Sequence, residues 1–225
     1  MIWVHFLMVG NKLRNAVCDL RYLLNQGYPR DSAVTFVANR YRLPLEQRHL
    51  LARCVFSRTE VTELRRRAVK TGVLQGKRLG VDGYNVLITL ESILTGRQVV
   101  KCDDGYIRDL RAIFGKYKPS LATDRALVEL LGILRRARPK EVVVLFDKQV
   151  SRSGELAGAT RRGLEKLGLR GDSRTASGVD FKLRAFDVVA SSDRAIIKRA
   201  KAVWDIPSEL LKRKKANVFD LTKMT

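Results

Sequence analysis

The sequence predicts an α/β fold with a mostly parallel sheet flanked by helices, preceded by a small all-helical unit. Up to about residue 75, apolar residues recur every three or four positions, which is the period of a helix packed on one side. From residue 76 onward, short apolar runs alternate with helical segments. Such alternation produces βαβ units with right-handed crossovers and a parallel sheet. We therefore predict two domains, residues 1–75 and 76–225.

The start of the chain, 1–10, is apolar but only about ten residues long. A membrane-spanning helix needs ~20 such residues. The stretch also lacks the positive charge before it and the small-residue cleavage site after it that a secretory signal requires. We interpret it as a core-packing or loosely ordered leader, and we predict that the protein has no membrane partner.

Within the first unit, local signals separate several helices. Gly27 to Arg30 breaks the first helix, Asp31 is a candidate N-cap of the second, and Pro44 opens a third after the turn at 39–43. Two helices joined by a tight basic turn are typical of a helix-turn-helix, although most such hairpins bind nothing. The candidate nucleic-acid contacts here are Arg40, Arg42 and Arg48. The run 58–67 predicts a solvated helix.

In the second unit, the hydrophobic period assigns the remaining elements. We predict strands at 79–82, 142–146, 174–176, 186–190 and 202–204, with an edge strand or hairpin arm at 98–102. We predict helices at 85–94, 106–117, 121–138, 154–167 and 194–202. The strand at 142–146 has the strongest pattern, because five apolar residues bounded by charge suit burial on both faces. The basic tail from Lys212 is expected to fray.

Four apolar runs in this unit each lead into an aspartate: Asp82, Asp147, Asp180 and Asp193. Acids just past parallel strands converge on one crevice at the carboxyl edge of the sheet. Close carboxylate pairs repel by ~4 kcal/mol at an effective dielectric near 20, so such a cluster requires cations or Lys/Arg partners. Mg²⁺ and Mn²⁺ favour oxygen ligands of this kind. We predict these four acids as metal ligands and catalytic residues, with Asn85 orienting water or phosphate.

Taken one at a time, the acidic residues of this unit also have plainer interpretations as turn or cap residues. Asp82 followed by glycine is a turn signal, and Asp193 before an apolar helix is a candidate N-cap. Asp103 and Asp104 suit the positive end of a following helix better than a metal, and Glu91 either reaches the crevice or faces solvent. Taken jointly the strand-end acids favour a shared functional cleft, since independent caps need not end several strands of one sheet.

Charge indicates the partner. Lys and Arg number 44 against 23 Asp and Glu, which gives a net charge of +21. Nucleic acid is the first expectation for such a chain, and an anionic membrane surface the second. Candidate phosphate contacts around the cleft are Lys148, Arg152, Arg161, Arg162, Lys182 and Arg184.

The sequence offers few residues for histidine-based catalysis, nucleotide-cofactor binding or zinc binding. The two histidines lie outside the acid-bearing region, and neither a Gly-x-Gly-x-x-Gly nor a Walker loop follows the first strand. The three cysteines have no paired metal-ligand spacing, which argues against zinc and predicts a reducing, cytoplasmic location.

The acidic motifs resemble those of a known family. The run 81–85 (Val-Asp-Gly-Tyr-Asn) resembles the first-strand signature of PIN-like nucleases, particularly their NYN branch. The runs 145–147, 178–180 and 190–193 resemble later acid-bearing elements of that branch, in the same order, and the last includes Ser192. The resemblance covers about 77–204. Most of the chain is also similar to an archaeal family of uncharacterised proteins that join a helical N-terminal unit to a PIN-like domain.

The resemblance implies a PIN-like fold and a metal-dependent ribonuclease, in which the acids bind Mg²⁺ or Mn²⁺ and a bound water attacks phosphorus. The chain departs from the best-defined nucleases in a basic loop at 148–154 and in Ala195, which stands where a second acid is expected. A protein that binds RNA or DNA without cleaving it is the alternative, and a membrane-surface or ribosome-associated protein is a third. RNA is the favoured substrate, and a homodimer is possible.

Overall fold

The computed structural model describes residues 10–111 and 117–224. The apolar leader lies almost wholly outside the described residues. The helices are α1 (Asn11–Asn25), α2 (Arg30–Arg40), α3 (Leu45–Cys54), α4 (Arg58–Arg65), α5 (Gly83–Leu94), α6 (Leu121–Ala137), α7 (Ser153–Lys166), α8 (Val179–Leu183), α9 (Arg194–Arg199) and α10 (Ile206–Leu211). The strands are β1 (Arg78–Asp82), β2 (Val99–Lys101), β3 (Ile107–Asp109), β4 (Glu141–Asp147), β5 (Gly171–Ala176), β6 (Val188–Ala190) and β7 (Val218–Asp220).

The main sheet has four strands in the order β5-β4-β1-β6, and all neighbouring pairs are parallel. Its central register places Val81 beside both Val144 and Ala190. These strands form from continuous apolar runs because both faces of the sheet are covered. The predicted α/β class and the mostly parallel sheet are therefore confirmed, and the carboxyl ends of the strands share one edge.

Alternate residues of β4 show how the two faces are used. Val142, Val144 and Phe146 pack with residues of α5, α6, α7 and α10. Val143 and Leu145 pack with α8, α9 and the N-terminal helices. Gly83 allows α5 to begin directly against β4, because a Cβ there would lie 2.4 Å from the Phe146 ring and 2.9 Å from the Leu145 carbonyl oxygen.

The predicted helical unit is present as α1 to α4, and it shares a continuous apolar core with one face of the sheet. Its helices begin slightly differently from the prediction. Asp31 lies inside the first turn of α2, whose N-cap is Pro29, because the helix already begins at Arg30. Ser57 caps α4 by accepting the backbone N–H of Glu60. The division at residue 75 stays a prediction, since the core itself is not divided there.

A second, three-stranded sheet has the order β3-β2-β7 and corrects two predictions. The helix predicted at 106–117 is wrong at its start, where β3 pairs antiparallel with β2 after a turn at Gly105, whose φ is 89°. Positions 112–116 of that prediction lie outside the described residues. As far as Met224, where the described residues end, the tail does not fray, because β7 pairs in parallel with β2 and Asp220 bonds Lys101 (3.2 Å).

Smaller differences concern lengths. β5 is longer than predicted, β6 and α9 are shorter, and at 202–204 Val203 forms only isolated bridges to Ala68 and Val189. Within the described ranges, no helix is both long enough and apolar enough to cross a membrane.

Candidate functional site

A pocket of about 570 Å³ opens at the carboxyl edge of the main sheet. Its lining includes all the residues predicted as catalytic, namely Asp82, Asn85, Asp147, Asp180 and Asp193. We call the four aspartates the acidic group. They come from β1, β4, α8 and the start of α9, so positions more than a hundred residues apart meet at one place.

Asp82 ends β1 and caps α5. Its Oδ1 accepts the Asn85 backbone N–H (3.4 Å), and its Oδ2 accepts the Ser191 hydroxyl (2.9 Å). Burial raises the pKa of Asp82 to about 7, and the charges of Asp193 and Asp147 add to the rise while the two hydrogen bonds oppose it. These carboxylates therefore lie close enough to repel one another.

Asp147 and Asp193 each use one oxygen locally. Asp147 Oδ1 accepts the Gln149 backbone N–H (2.9 Å). Asp193 Oδ1 accepts the backbone N–H groups of Ala195 (2.7 Å) and Ile196 (3.1 Å), so Asp193 is the N-cap of α9 and also lines the pocket. In the described chain neither Oδ2 atom has a hydrogen bond, which leaves both available toward the pocket.

Asp180 reaches the pocket differently from the prediction. β5 ends at Ala176, and Asp180 is the second residue of α8, exposed to solvent. The helix begins after Gly178, whose φ of 61° turns the chain. Asp180 therefore approaches the acidic group from a helix rather than from a strand end.

The loop after β6 fixes the position of Asn85. Asn85 Oδ1 accepts the backbone N–H (2.8 Å) and the hydroxyl (3.0 Å) of Ser192. Its side-chain nitrogen has no hydrogen bond to a described residue and remains a donor. Ser191, which holds Asp82, was not singled out from the sequence, although it lies in the same Ser-Ser-Asp motif.

Within the described ranges, no member of the acidic group forms an ion pair with Lys, Arg or His, although the chain carries a net charge of +21. In the same part of the chain, no three or more potential ligand side chains lie close enough together to hold a metal ion. The donor chemistry suits a hard cation. The arrangement is not a closed cage, and Mg²⁺ usually needs only one or two protein carboxylates together with substrate phosphate and water.

Other residues of the pocket were missed by the sequence reasoning. They are Arg53, Tyr84, Asp109, Arg111 and Tyr117. Of these only Tyr84 lies in a motif noted in the sequence, the run 81–85. Arg53 belongs to α3 and has no local motif linking it to the acids. Asp109 and Arg111 lie in or after a strand that the hydrophobic period had assigned to a helix.

Glu91 does not line the pocket, but it bonds two residues that do, Arg111 and Tyr117. Its carboxylate accepts hydrogen bonds from Thr123 Oγ1 (2.7 Å), the Tyr117 hydroxyl and Arg111 (3.2 Å). Arg111 also donates to the Ile88 carbonyl (2.6 Å). Glu91 thus positions one arginine and one tyrosine of the pocket, rather than acting there itself.

None of the six basic residues predicted around the cleft lines this pocket. Lys148 is exposed beside Asp147, Arg152 pairs with Glu155, and Arg161 pairs with Asp172 near the amino end of β5. Arg162 is exposed on α7. Lys182 lines a separate cavity with Arg78 and Arg174, and Arg184 lies over the Phe181 ring.

The remaining candidates lie apart from the acidic group. Arg48 donates to the Leu43 carbonyl (2.8 Å) and the Asn39 side chain (2.8 Å), so it stabilises the turn between α2 and α3. Arg40 lies over the Tyr41 ring, and Arg42 is exposed with a φ of 49°.

Asp103 and Asp104 make structural ion pairs. Asp103 bonds Arg21 (2.6 Å) and accepts the Phe56 backbone N–H (3.1 Å). Asp104 forms a bidentate ion pair with Arg108, whose Nη1 and Nη2 donate to Oδ1 (2.7 Å) and Oδ2 (2.6 Å). The helix that these acids were expected to precede is replaced by β3.

Comparison with known proteins gives family membership. Residues 71–209 match the model of a domain of unknown function, DUF5616, and residues 12–67 match a protein family of unknown function, DUF434. An uncharacterized protein of Methanocaldococcus jannaschii, MJ0935, is 38% identical over 195 residues, covering 86% of this chain and 93% of that protein. No solved structure matches significantly. With more than half of its length matched, the chain belongs to the DUF5616 family.

Proposed function

We propose that the protein is a divalent-metal-dependent nuclease, acting on RNA in the cytoplasm, with a PIN-like fold. The observation that carries the proposal is the acidic group: four aspartates line one pocket without an ion-pair partner in the described chain, while the molecule around them is strongly basic. A polyanionic ligand approached through a positive field and bridged to carboxylates by cations fits both features.

In this proposal the pocket residues have different roles. Asp82, Asp147 and Asp193 are the candidate ligands, of which one or two would hold the cation together with substrate phosphate and water, and Asp180 approaches from α8. A bound Mg²⁺ or Mn²⁺ supplies charge neutralisation at the phosphate and an activated water. Ser191 fixes the orientation of Asp82, and the Asn85 side-chain nitrogen is placed to donate to a phosphate oxygen. Burial and the neighbouring charges of Asp193 and Asp147 raise the pKa of Asp82, and a bound cation would favour its charged form.

The test is cleavage of labelled single-stranded RNA with Mg²⁺ or Mn²⁺, for the wild type and for Asp82→Asn and Asp193→Asn. Asparagine caps helices as well as aspartate does, so these changes remove charge with little effect on the helix starts. Asp124→Asn, an exposed acid outside the pocket, is the matched control. We expect metal-dependent cleavage that the pocket variants lose and the control retains. Cleavage that survives both pocket substitutions contradicts the proposal.

A nucleic-acid-binding protein without turnover is the second candidate. The observation that favours it is that no group of three or more metal-ligating side chains is assembled in the described residues. This candidate predicts salt-dependent RNA binding with no requirement for a divalent cation.

Assembly as a homodimer remains a proposal that size-exclusion chromatography with light scattering would test.

A further inference from the structure

The pocket has a basic side that faces the same cavity as the acidic group. Arg53, from α3, and Arg111, just after β3, both line it, and we call them the basic pair. Arg111 is held in place by Glu91 and by the Ile88 carbonyl. Arg53 is partly exposed and makes no hydrogen bond or ion pair with any described residue. One guanidinium is therefore fixed by the fold, and the other is free to bind.

Two further polar groups line the pocket with the basic pair: the Tyr84 hydroxyl, which lacks a partner, and the Asp109 carboxyl, which accepts the Arg111 backbone N–H (2.8 Å). The Tyr84 side chain is only 8% exposed, and its hydroxyl has no hydrogen-bond partner among the described residues. Buried hydroxyls are almost always bonded, so an unpaired one in a pocket lining is free to donate to a ligand. Burial raises the pKa of Asp109, while the charges of Arg53 and Arg111 oppose the rise, so both guanidinium groups lie near this carboxyl.

We propose that Arg53 and Arg111 bind a backbone phosphate of the nucleic acid, so that the helical unit completes the binding site. Guanidinium groups match phosphate oxygens geometrically, and the Tyr84 hydroxyl is a further donor. The pocket thus joins the two family regions, because Arg53 lies within the segment 12–67 and the acidic group within 71–209. The inference rests on the proposed function, in that it gives the pocket a phosphodiester ligand.

The experiment is equilibrium binding of a fluorescein-labelled single-stranded RNA in EDTA, followed by anisotropy at several salt concentrations. Arg53→Gln should weaken binding about tenfold and lower the salt slope by about 0.7, which is the contribution of one phosphate contact on a single strand. Arg66→Gln is the matched control, because Arg66 is an exposed arginine at the end of α4 in the same unit and outside the pocket. We expect less than a twofold change for it.

A conservative variant separates charge from geometry. Arg53→Lys keeps the positive charge, so it should keep the wild-type salt slope, yet it should bind about two- to threefold more weakly because lysine cannot donate two parallel hydrogen bonds. If Arg53→Gln binds RNA as well as Arg66→Gln does, the inference is wrong.

A footprint on the wild type gives an independent readout that needs no variant. Phenylglyoxal modifies accessible arginines, and mass spectrometry should show Arg53 protected when RNA is bound, with Arg66 modified equally in both states. Equal modification of Arg53 with and without RNA overturns the inference.

Failure of this inference is distinguishable from failure of the proposed function. RNA binding through Arg53 without cleavage in Mg²⁺ or Mn²⁺ removes the nuclease and keeps the phosphate site. Cleavage that Asp193→Asn abolishes, together with unchanged KM and affinity in Arg53→Gln, keeps the nuclease and removes the phosphate site.

Discussion

Two sets of acidic residues in this molecule have opposite surroundings. Asp104, Asp103 and Glu60 join the helical unit, the small sheet and the main sheet, and each is bonded to at least one arginine. The acidic group of the pocket has no such partner in the described ranges, although arginine is abundant throughout the chain. In the first set each carboxylate is bonded to a guanidinium, whereas Arg53 and Arg111 line the pocket but form no ion pair with any of its four aspartates in the described chain.

The difference separates architecture from function. Glu60 bonds Arg30, Arg194 and Lys198. Burial raises its pKa, but Lys198 and Arg30 outweigh that effect and bring the pKa to about 2, so Glu60 is held ionised. Asp82 has its pKa raised, which means that its charged form is disfavoured in the folded protein. Asp205, a helix cap, also has its pKa raised by burial, so what distinguishes Asp82 is its place beside Asp147 and Asp193 in an open pocket that a cation can enter.

The largest expected effect is on stability, from Asp104→Asn. The side chains of Asp104 and Arg108 are 0% and 3% exposed, so the substitution leaves an arginine buried without its counter-charge. We expect a loss of about 3–5 kcal/mol in the free energy of unfolding, measured by urea denaturation. Glu155→Gln, in an exposed pair with Arg152, should cause no measurable loss. Equal stability of the two variants would show that the buried Asp104–Arg108 pair contributes no more to stability than an exposed pair.

The second largest effect is expected from Asp147→Asn, which should reduce RNA cleavage strongly and stability only slightly. We expect RNA cleavage to fall by at least ~100-fold, equivalent to ~2.7 kcal/mol in the activation barrier. The unfolding free energy should change by less than ~1 kcal/mol, because Asn keeps the acceptor for the Gln149 backbone N–H. Single-turnover kinetics and urea denaturation of the same preparation measure the two effects. A large stability loss with normal cleavage would assign Asp147 to the architecture.

The pH dependence of stability follows from Asp205, which caps α10 and also accepts the Ile107 backbone N–H. Burial raises its pKa from 3.8 to about 7. Between these values the folded state binds the proton more tightly than the unfolded state, so stability falls as pH rises. We expect Asp205 to contribute a slope approaching ~1.4 kcal/mol per pH unit. Asp205→Asn should remove this contribution and make the slope between pH 4 and 7 smaller, while the comparable contribution of Asp82 remains; an unchanged slope would contradict this.

The smallest effect is expected from Ser191→Ala. The Ser191 hydroxyl donates to Asp82 (2.9 Å) and accepts the Asp193 backbone N–H (3.1 Å), so it links two members of the acidic group. Its loss should lower stability by about 1 kcal/mol. We also expect a roughly fivefold lower kcat, because a loosened Asp82 is less well positioned. Ser191→Thr keeps the hydroxyl and should restore most of the activity, whereas equal rates for Ala and Thr would show that the bond is irrelevant.

Sequence reasoning succeeded where the signal was local. β1 and β4 are apolar runs with an acid at their end, and their parallel alignment brings Asp82 and Asp147 to one edge. It failed where a residue acquires its role from a distant partner. Arg53 meets the acidic group only through the packing of the helical unit on the sheet, and β3 and β7 are three-residue strands whose pairing no short pattern specifies. Asp180 is an intermediate case: its motif predicted a place in the pocket correctly, but helix α8, on which it lies, was not predicted.

The parallel pairing of β2 with β7 has a consequence for the order of folding. Lys101 and Asp220 are 119 residues apart, so this contact closes the longest loop among the strand pairs. Non-local pairings of this kind form slowly. Until β7 arrives, one edge of β2 stays open, and open edges invite pairing with other chains. We expect self-association during refolding to be greatest in that interval and to cease once the last strand is in place.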